Sequence, residues 1–321
     1  MAYKHGAIGQ IVPSTDTLPP NGVATLPVYI GTAPIHLSNS NYDDVINRPV
    51  LVSSFEEAQS AVGYSDDWGT FTLCEAIYAH FKNTIGSIGP IVLINVLDPS
   101  KHTADKSVSV TFLKGVATVS TKAIASTITI ADKVLNTDYK VAYDDNGNVV
   151  ITDLKGTLSS PLEVTYDEID ISKVTDNDII GKLDDTTGKR TGLSCVDLIY
   201  QEHNMIPTIL AAPGWSYKKE IFDALISKAQ KVNGHWDLIV NADLNCDTVK
   251  TIPDAIKWKD EDGFISKIAK TYWPKDKNGD KIYWLSTMAT VRMQQTDFDN
   301  DNIPYNSPSN KQIMCTGTVL K

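Results

Sequence analysis

Three prolines, Pro13, Pro19 and Pro20, stand between the amino terminus and the first apolar strand, LPVYIGTAP at Leu26 to Pro34. Each removes a backbone donor and fixes φ, so neither a helix nor a central strand runs through that stretch. Residues 1–25 therefore read as an extended arm and linker rather than as part of a core. Within the arm, Tyr3, Gly6, Ile8, Ile11 and Val12 belong to YKHGAIGQIV. That segment is apolar enough to add as a strand to a sheet edge supplied by another chain, with Pro13, Pro19 and Pro20 as the hinge. Such an arm points to assembly, against the plainer reading of a frayed polar terminus.

The remaining residues have room for more than one unit in a chain of 321 residues, 42% hydrophobic and 21% charged. With 29 Lys and Arg against 39 Asp and Glu, the net charge of -10 disfavours nucleic acid or an anionic membrane as partner. The four cysteines, Cys74, Cys195, Cys246 and Cys315, are far apart and show no CxxC spacing, which fits reduced thiols rather than a zinc site or disulfide framework. No apolar run is long enough to span a membrane, and the amino terminus has no signal-peptide core, so synthesis and folding in cytoplasm are expected.

The hydrophobic pattern divides the chain into an interrupted α/β unit. From Pro27 to Pro99 it predicts a strand at VYIG, helices over Phe55 to Val62 and Trp68 to Asn83, and a strand over Ile91 to Leu97. IVLINVL is continuously apolar, as a strand buried on both faces of a parallel sheet should be. Between Pro99 and Gly192 the texture becomes alternating and β-branched, with a hairpin turn at Asp144 to Asn148. This predicts an all-β insertion, a small sandwich or barrel, over residues 99–192. After Gly192 the α/β alternation resumes, predicting helices over Cys195 to Glu202, Lys218 to Lys231, Asp247 to Trp258 and Leu285 to Gln295. Strands are expected at PTILAAPG, HWDLIVNAD and Ile268 to Trp273. Residues 26–98 and 193–321 thus form one α/β core around the insertion. The last segment, CTGTVLK, reads as a strand just entered, so the chain is expected to be a fragment.

Motifs with chemistry are weak. GKLDDTTGKR at Gly181 to Arg190 has too many residues between its glycines for a phosphate loop, and Arg190 stands where a magnesium-binding hydroxyl belongs. Asp276, Asn278 and Asp280 alternate like a calcium loop, but Lys281 replaces the turn glycine and Thr287 the bidentate acid. Asp297, Asp299 and Asp301 also alternate and offer at most a weak surface cation site, with a solvated acidic loop as the simpler reading. The six histidines, His5, His36, His80, His102, His203 and His235, lack zinc-protease spacing. Glu202 and His203 form a weak acid and base pair. LSTMAT at Leu285 to Thr290 is similar to the nucleophile motif of subtilisin-like proteases, with Thr287 in the serine place. The histidine and aspartate motifs that would complete a triad are missing from their expected places. No catalytic residue, cofactor or metal is assigned, and the chain is expected not to be an enzyme.

Taken in order, MAYKHG, LPVYIGTAP, SFEEAQSAVGYSDDWGTFTLCEAIYAHFKN, GPIVLINVLDP, PTILAAPGW and LSTMATVRMQQTDFDNDNIPYNSPSNKQI resemble the tail sheath proteins of contractile bacteriophage tails, R-type bacteriocins and related particles. The resemblance covers the whole chain and is weakest in the β insertion. It implies a subtilisin-like, doubly wound α/β domain without protease activity, interrupted by a β-sandwich and preceded by an assembly arm. It further implies a helical lattice of sheath subunits around an inner tail tube, capped by baseplate and tail terminator proteins, in a virion tail or bacteriocin particle. The family continues into a C-terminal domain that this sequence does not include. A subtilisin-like serine or threonine hydrolase, degenerate or active, and a surface-binding tail module are the competing readings.

Overall fold

A computed structural model describes residues 24–158 and 160–320, so the arm positions Tyr3, Gly6, Ile8, Ile11, Val12, Pro13, Pro19 and Pro20 lie outside the described residues. In chain order, β1 (Pro27–Gly31), α1 (Tyr42–Val45), β2 (Pro49–Val52), α2 (Phe55–Val62), α3 (Leu73–Phe81) and β3 (Ile91–Asn95) come first. Next are β4 (Thr103–Val110), β5 (Val116–Val119), β6 (Tyr139–Tyr143), β7 (Val149–Asp153), β8 (Leu162–Ile169), α4 (Asp176–Ile180) and α5 (Ile199–His203). The chain continues through β9 (Ile209–Ala211), α6 (Lys219–Lys228), β10 (Ile239–Asp243), α7 (Ile252–Glu261) and β11 (Ala269–Tyr272). It ends with β12 (Lys275–Asn278), β13 (Lys281–Tyr283), α8 (Leu285–Phe298) and β14 (Gly317–Val319).

Six strands form one sheet in the order β11-β10-β9-β1-β3-β2, parallel throughout except for β2, which runs antiparallel to β3. The continuous apolar runs are explained by burial on both faces. Val28, Ile30, Val92 and Ile94 enter one core with α5 and α6, whereas Tyr29, Ile91 and Leu93 enter another with α2 and α3. β2 was not expected from sequence, because it is short and starts at a proline; a first-residue proline on an edge strand forfeits no ladder bond. Asn95 joins the strand ends, its Oδ1 accepting from Ala33 N (2.9 Å) and Leu97 N (3.1 Å).

Local signals hold where the side chain itself closes the bond. Ser54 Oγ accepts from Glu57 N at 3.1 Å and starts α2 where the sequence placed it. The helix predicted from Trp68 begins only at Leu73, because Asp67 Oδ1 captures Thr70 N and holds the preceding residues in turns. The helix predicted from Asp247 likewise begins at Ile252, capped by Thr251 with proline in its first turn.

The insertion contains two antiparallel sheets, β4-β8 and β5-β7-β6, around a separate core including Val119, Tyr139, Val149, Ile151 and Val164. The hairpin predicted at Asp144 to Asn148 joins β6 to β7, with Gly147 at φ +80°. Val174 and Ile179 pack into the α/β core beside Leu193 and Cys195. Gly181 and Gly192 then meet backbone to backbone: a Cβ on Gly181 would lie 1.9 Å from Thr191 O. A third antiparallel sheet, β13-β12-β14, lies at the carboxyl end of the described chain.

Candidate functional site

β1 is flanked by β3 and β9, so the order of strands reverses there, and the carboxyl ends of β1 and β9 mark the place where such sheets open a ligand crevice. Here side chains occupy it. A Cβ on Gly31 would fall 2.3 Å from Thr72 Oγ1, and one on Gly214 3.0 Å from Thr72 Cγ2. Trp215 Nε1 donates to Thr72 Oγ1 at 3.3 Å, and Thr32 Oγ1 accepts from Thr72 N at 3.1 Å while donating to Thr70 O.

LSTMAT opens α8 directly beside this plug. Thr287 is fully buried, and its hydroxyl closes no hydrogen bond of normal geometry. Its nearest titratable neighbours are acids rather than a base. Glu75, in the first turn of α3, accepts from Trp284 N at 2.8 Å. Burial pushes Glu75 up to about 8, with Asp243 adding to the rise and the Thr287 hydroxyl, Trp284 N–H and Lys275 charge opposing it. Asp243, at the end of β10, accepts from Ser286 N at 2.9 Å and from the Ser286 hydroxyl. Burial raises it to about 7 against those donors and Lys275. Lys275 Nζ stacks 3.9 Å from the Trp284 ring centroid. The arrangement clamps the entry to α8 through two buried acids whose pKa values are raised to about 8 and about 7. Chemically, a protonated acid can donate a hydrogen bond or a proton, but Thr287 has no accepting base.

Four of the five described histidines hydrogen-bond elsewhere, and His235 rests against the Trp236 ring. His80 Nδ1 donates to Ile88 O and Nε2 accepts from Tyr29 Oη at 2.7 Å, and burial depresses its pKa to about 3. His36 Nε2 donates to Thr121 O of the insertion at 2.9 Å, and His203 Nε2 to Pro49 O at 2.8 Å. Glu202 turns instead to Arg48 at 3.1 Å, so the Glu202 and His203 side chains serve separate contacts. His102 accepts from Asp98 N.

The remaining motifs lie in a hairpin, in β12 and its turn, and at the end of α8. Gly181 to Arg190 forms a hairpin closed by the Leu183–Arg190 bridge. Asp276 faces Tyr283 across the β12-β13 pair. Asp297 accepts from the Thr25 hydroxyl, Asp299 pairs with Arg292 at 3.0 Å, and Asp301 has φ +57°. Among the described residues no three His, Cys, Asp or Glu side chains are grouped to hold a metal ion.

The sequence reading missed Glu75 and Asp243. The signal was an acid inside the apolar face of LCEAIYAHF and another closing the apolar strand of HWDLIVNAD. Exposed apolar groups concentrate in two further places. Leu113 (74% exposed), Val116, Val134, Leu135 and Leu154 cluster at the end of the β5-β7-β6 sheet opposite the Asp144 to Asn148 hairpin. Tyr200, Ile206 and Ile239 are exposed near the amino ends of β9 and β10, where the Tyr200 ring meets that of Trp236. No protein-family model matches this chain, and no curated protein sequence matches it. No helix among the described residues is long and apolar enough to cross a membrane.

Proposed function

We propose that this chain is a structural subunit of a contractile tail sheath, with a subtilisin-like α/β body, a β-sandwich insertion and a strand-lending leader. The observation that supports this most is the state of the nucleophile position: Thr287 is fully buried, its hydroxyl set against the Glu75 carboxyl, beside a crevice filled by Thr72 and Trp215. A body of that kind supports a role in packing more readily than one in turnover. Residues Tyr3 to Val12 add as a strand to a neighbouring subunit, and Pro13 to Pro20 let the body rotate while that pairing holds. Contraction draws on interface free energy stored in a metastable lattice and uses no nucleotide. The partners are other sheath subunits, an inner tail tube, a baseplate and a terminator.

Electron microscopy of the full-length gene product, with and without residues 1–20, tests the proposal. Helical tubes from the intact product and none from the truncated one are expected; failure of the intact product to form tubes with or without an inner tube overturns it. The exposed apolar end around Leu113 favours a second reading, a surface-binding tail module, which requires ligand binding by the insertion alone.

A further inference from the structure

A subunit that lends a strand has to keep that strand and its own apolar surface covered before a neighbour arrives. Register locates the surface next to the leader. Pro27 of β1 and Ile239 of β10 both pair with Ile209 of β9. Ala24, Ile206 and Trp236 each precede that row by three positions, so they lie at one end of the three adjacent strands. Ile206 (44% exposed), Ile239 (41%) and Tyr200 (43%) present apolar surface there, and the Tyr200 and Trp236 rings meet at 4.9 Å between centroids. Strands in a sheet are roughly 4.8 Å apart, which puts β10 on the order of 10 Å from β1.

We propose that Tyr3 to Val12 of the same chain docks on the Tyr200, Ile206, Trp236 and Ile239 patch in the unassembled subunit, and leaves it when the segment pairs with a neighbour. This inference rests on the lending role given to the leader above. Reach supports it: the connection from Pro13 to Val23, about 11 residues at roughly 3.1 Å each when extended, spans up to about 34 Å. Pro20, Asn21 and Gly22 provide turn-forming residues for the reversal. Composition fits as well. Tyr3, Ala7, Ile8, Ile11 and Val12 are apolar, and Lys4 and His5 accompany them without an acid; exposed Asp237 and His235 rim the patch. Tethering gives the segment an effective concentration in the millimolar range, so modest affinity suffices in cis and is exchanged readily for a longer strand pairing in trans.

The test is disulfide trapping in dilute monomer of the full chain, with Cys315→Ser as background because the other three cysteines are buried. The pair Ile8→Cys and Ile206→Cys is compared with Ile8→Cys and Leu113→Cys, using mixed heavy and light protein to separate links within a chain from links between chains. Links within the chain at least tenfold above the Leu113 control are expected. Links only between chains, or yields equal to the control, overturn the docking. An independent measurement on native cysteines is the binding of a hydrophobic dye, which should rise severalfold on deleting residues 1–12; no rise counts against it. Tubes without the link within a chain refute the docking and leave the sheath role intact, whereas the link without tubes does the reverse.

Discussion

Replacing Glu75 by glutamine should make the protein less sensitive to alkaline pH. Burial raises the Glu75 carboxyl from its ordinary 4.5 to about 8. The unfolded chain therefore ionises first, and stability from this group is full below about pH 4.5 and drains away as pH climbs through 8. Linkage with those two values gives a loss of about 2.5 kcal/mol between pH 6 and pH 9. Glutamine keeps a carbonyl for Trp284 N–H, now 2.8 Å from Glu75 Oε1, and cannot ionise. In urea unfolding, the stability of Glu75→Gln relative to the parent should rise by about 2.5 kcal/mol between pH 6 and pH 9. His80 slopes the other way: its folded pKa of about 3 makes stability fall as pH drops below about 6.5, but it is common to both proteins and cancels in the comparison. An equal deficit at both pH values would refute the reasoning, because it would mean that Glu75 is already ionised in the native state or makes contacts that glutamine cannot.

Thr287→Val removes the hydroxyl that holds the Glu75 pKa down, so the alkaline loss of stability should move to higher pH in chemical denaturation, with no change in peptide-cleavage background. Gly181→Ala places a Cβ 1.9 Å from Thr191 O at a positive φ, and should cost more than about 3 kcal/mol or prevent soluble expression. Leu93→Ala, fully buried in the central sheet, should lower unfolding free energy by about 2–5 kcal/mol. Asp243→Asn should flatten the stability profile mainly between about pH 4 and pH 7, since the raised acid loses its contribution across that window as pH rises.

The strands buried on both faces were legible because each residue, whichever face it points to, must be apolar; β1 and the first four residues of β3 are of this kind. The α2 boundaries were legible because a serine cap and a following glycine act within one turn. β2 was not, since its pairing with β3 is a tertiary event that four residues cannot announce. The residues from Trp68 to Thr72 carry a helical apolar spacing, yet Asp67 and Thr32 capture their N–H groups first. Around α8, the motif told which hydroxyl would be at the helix start. That it would be buried against Glu75 depends on where α3 packs, which no local pattern encodes.

The insertion joins the body through β4 and β8, paired from Thr103 opposite Ile169 to Val110 opposite Leu162. Antiparallel partners have Cα atoms about 5 Å apart, so the excursion departs and returns at hairpin spacing. For the α/β sheet it is topologically equivalent to a tight turn. Engineering can therefore exchange the excursion for another module that replaces the Ile124 and Ile169 side chains packed into the body, without altering the path of a single core strand. What this part of the surface meets is free to diverge at a pace the rest of the molecule does not share.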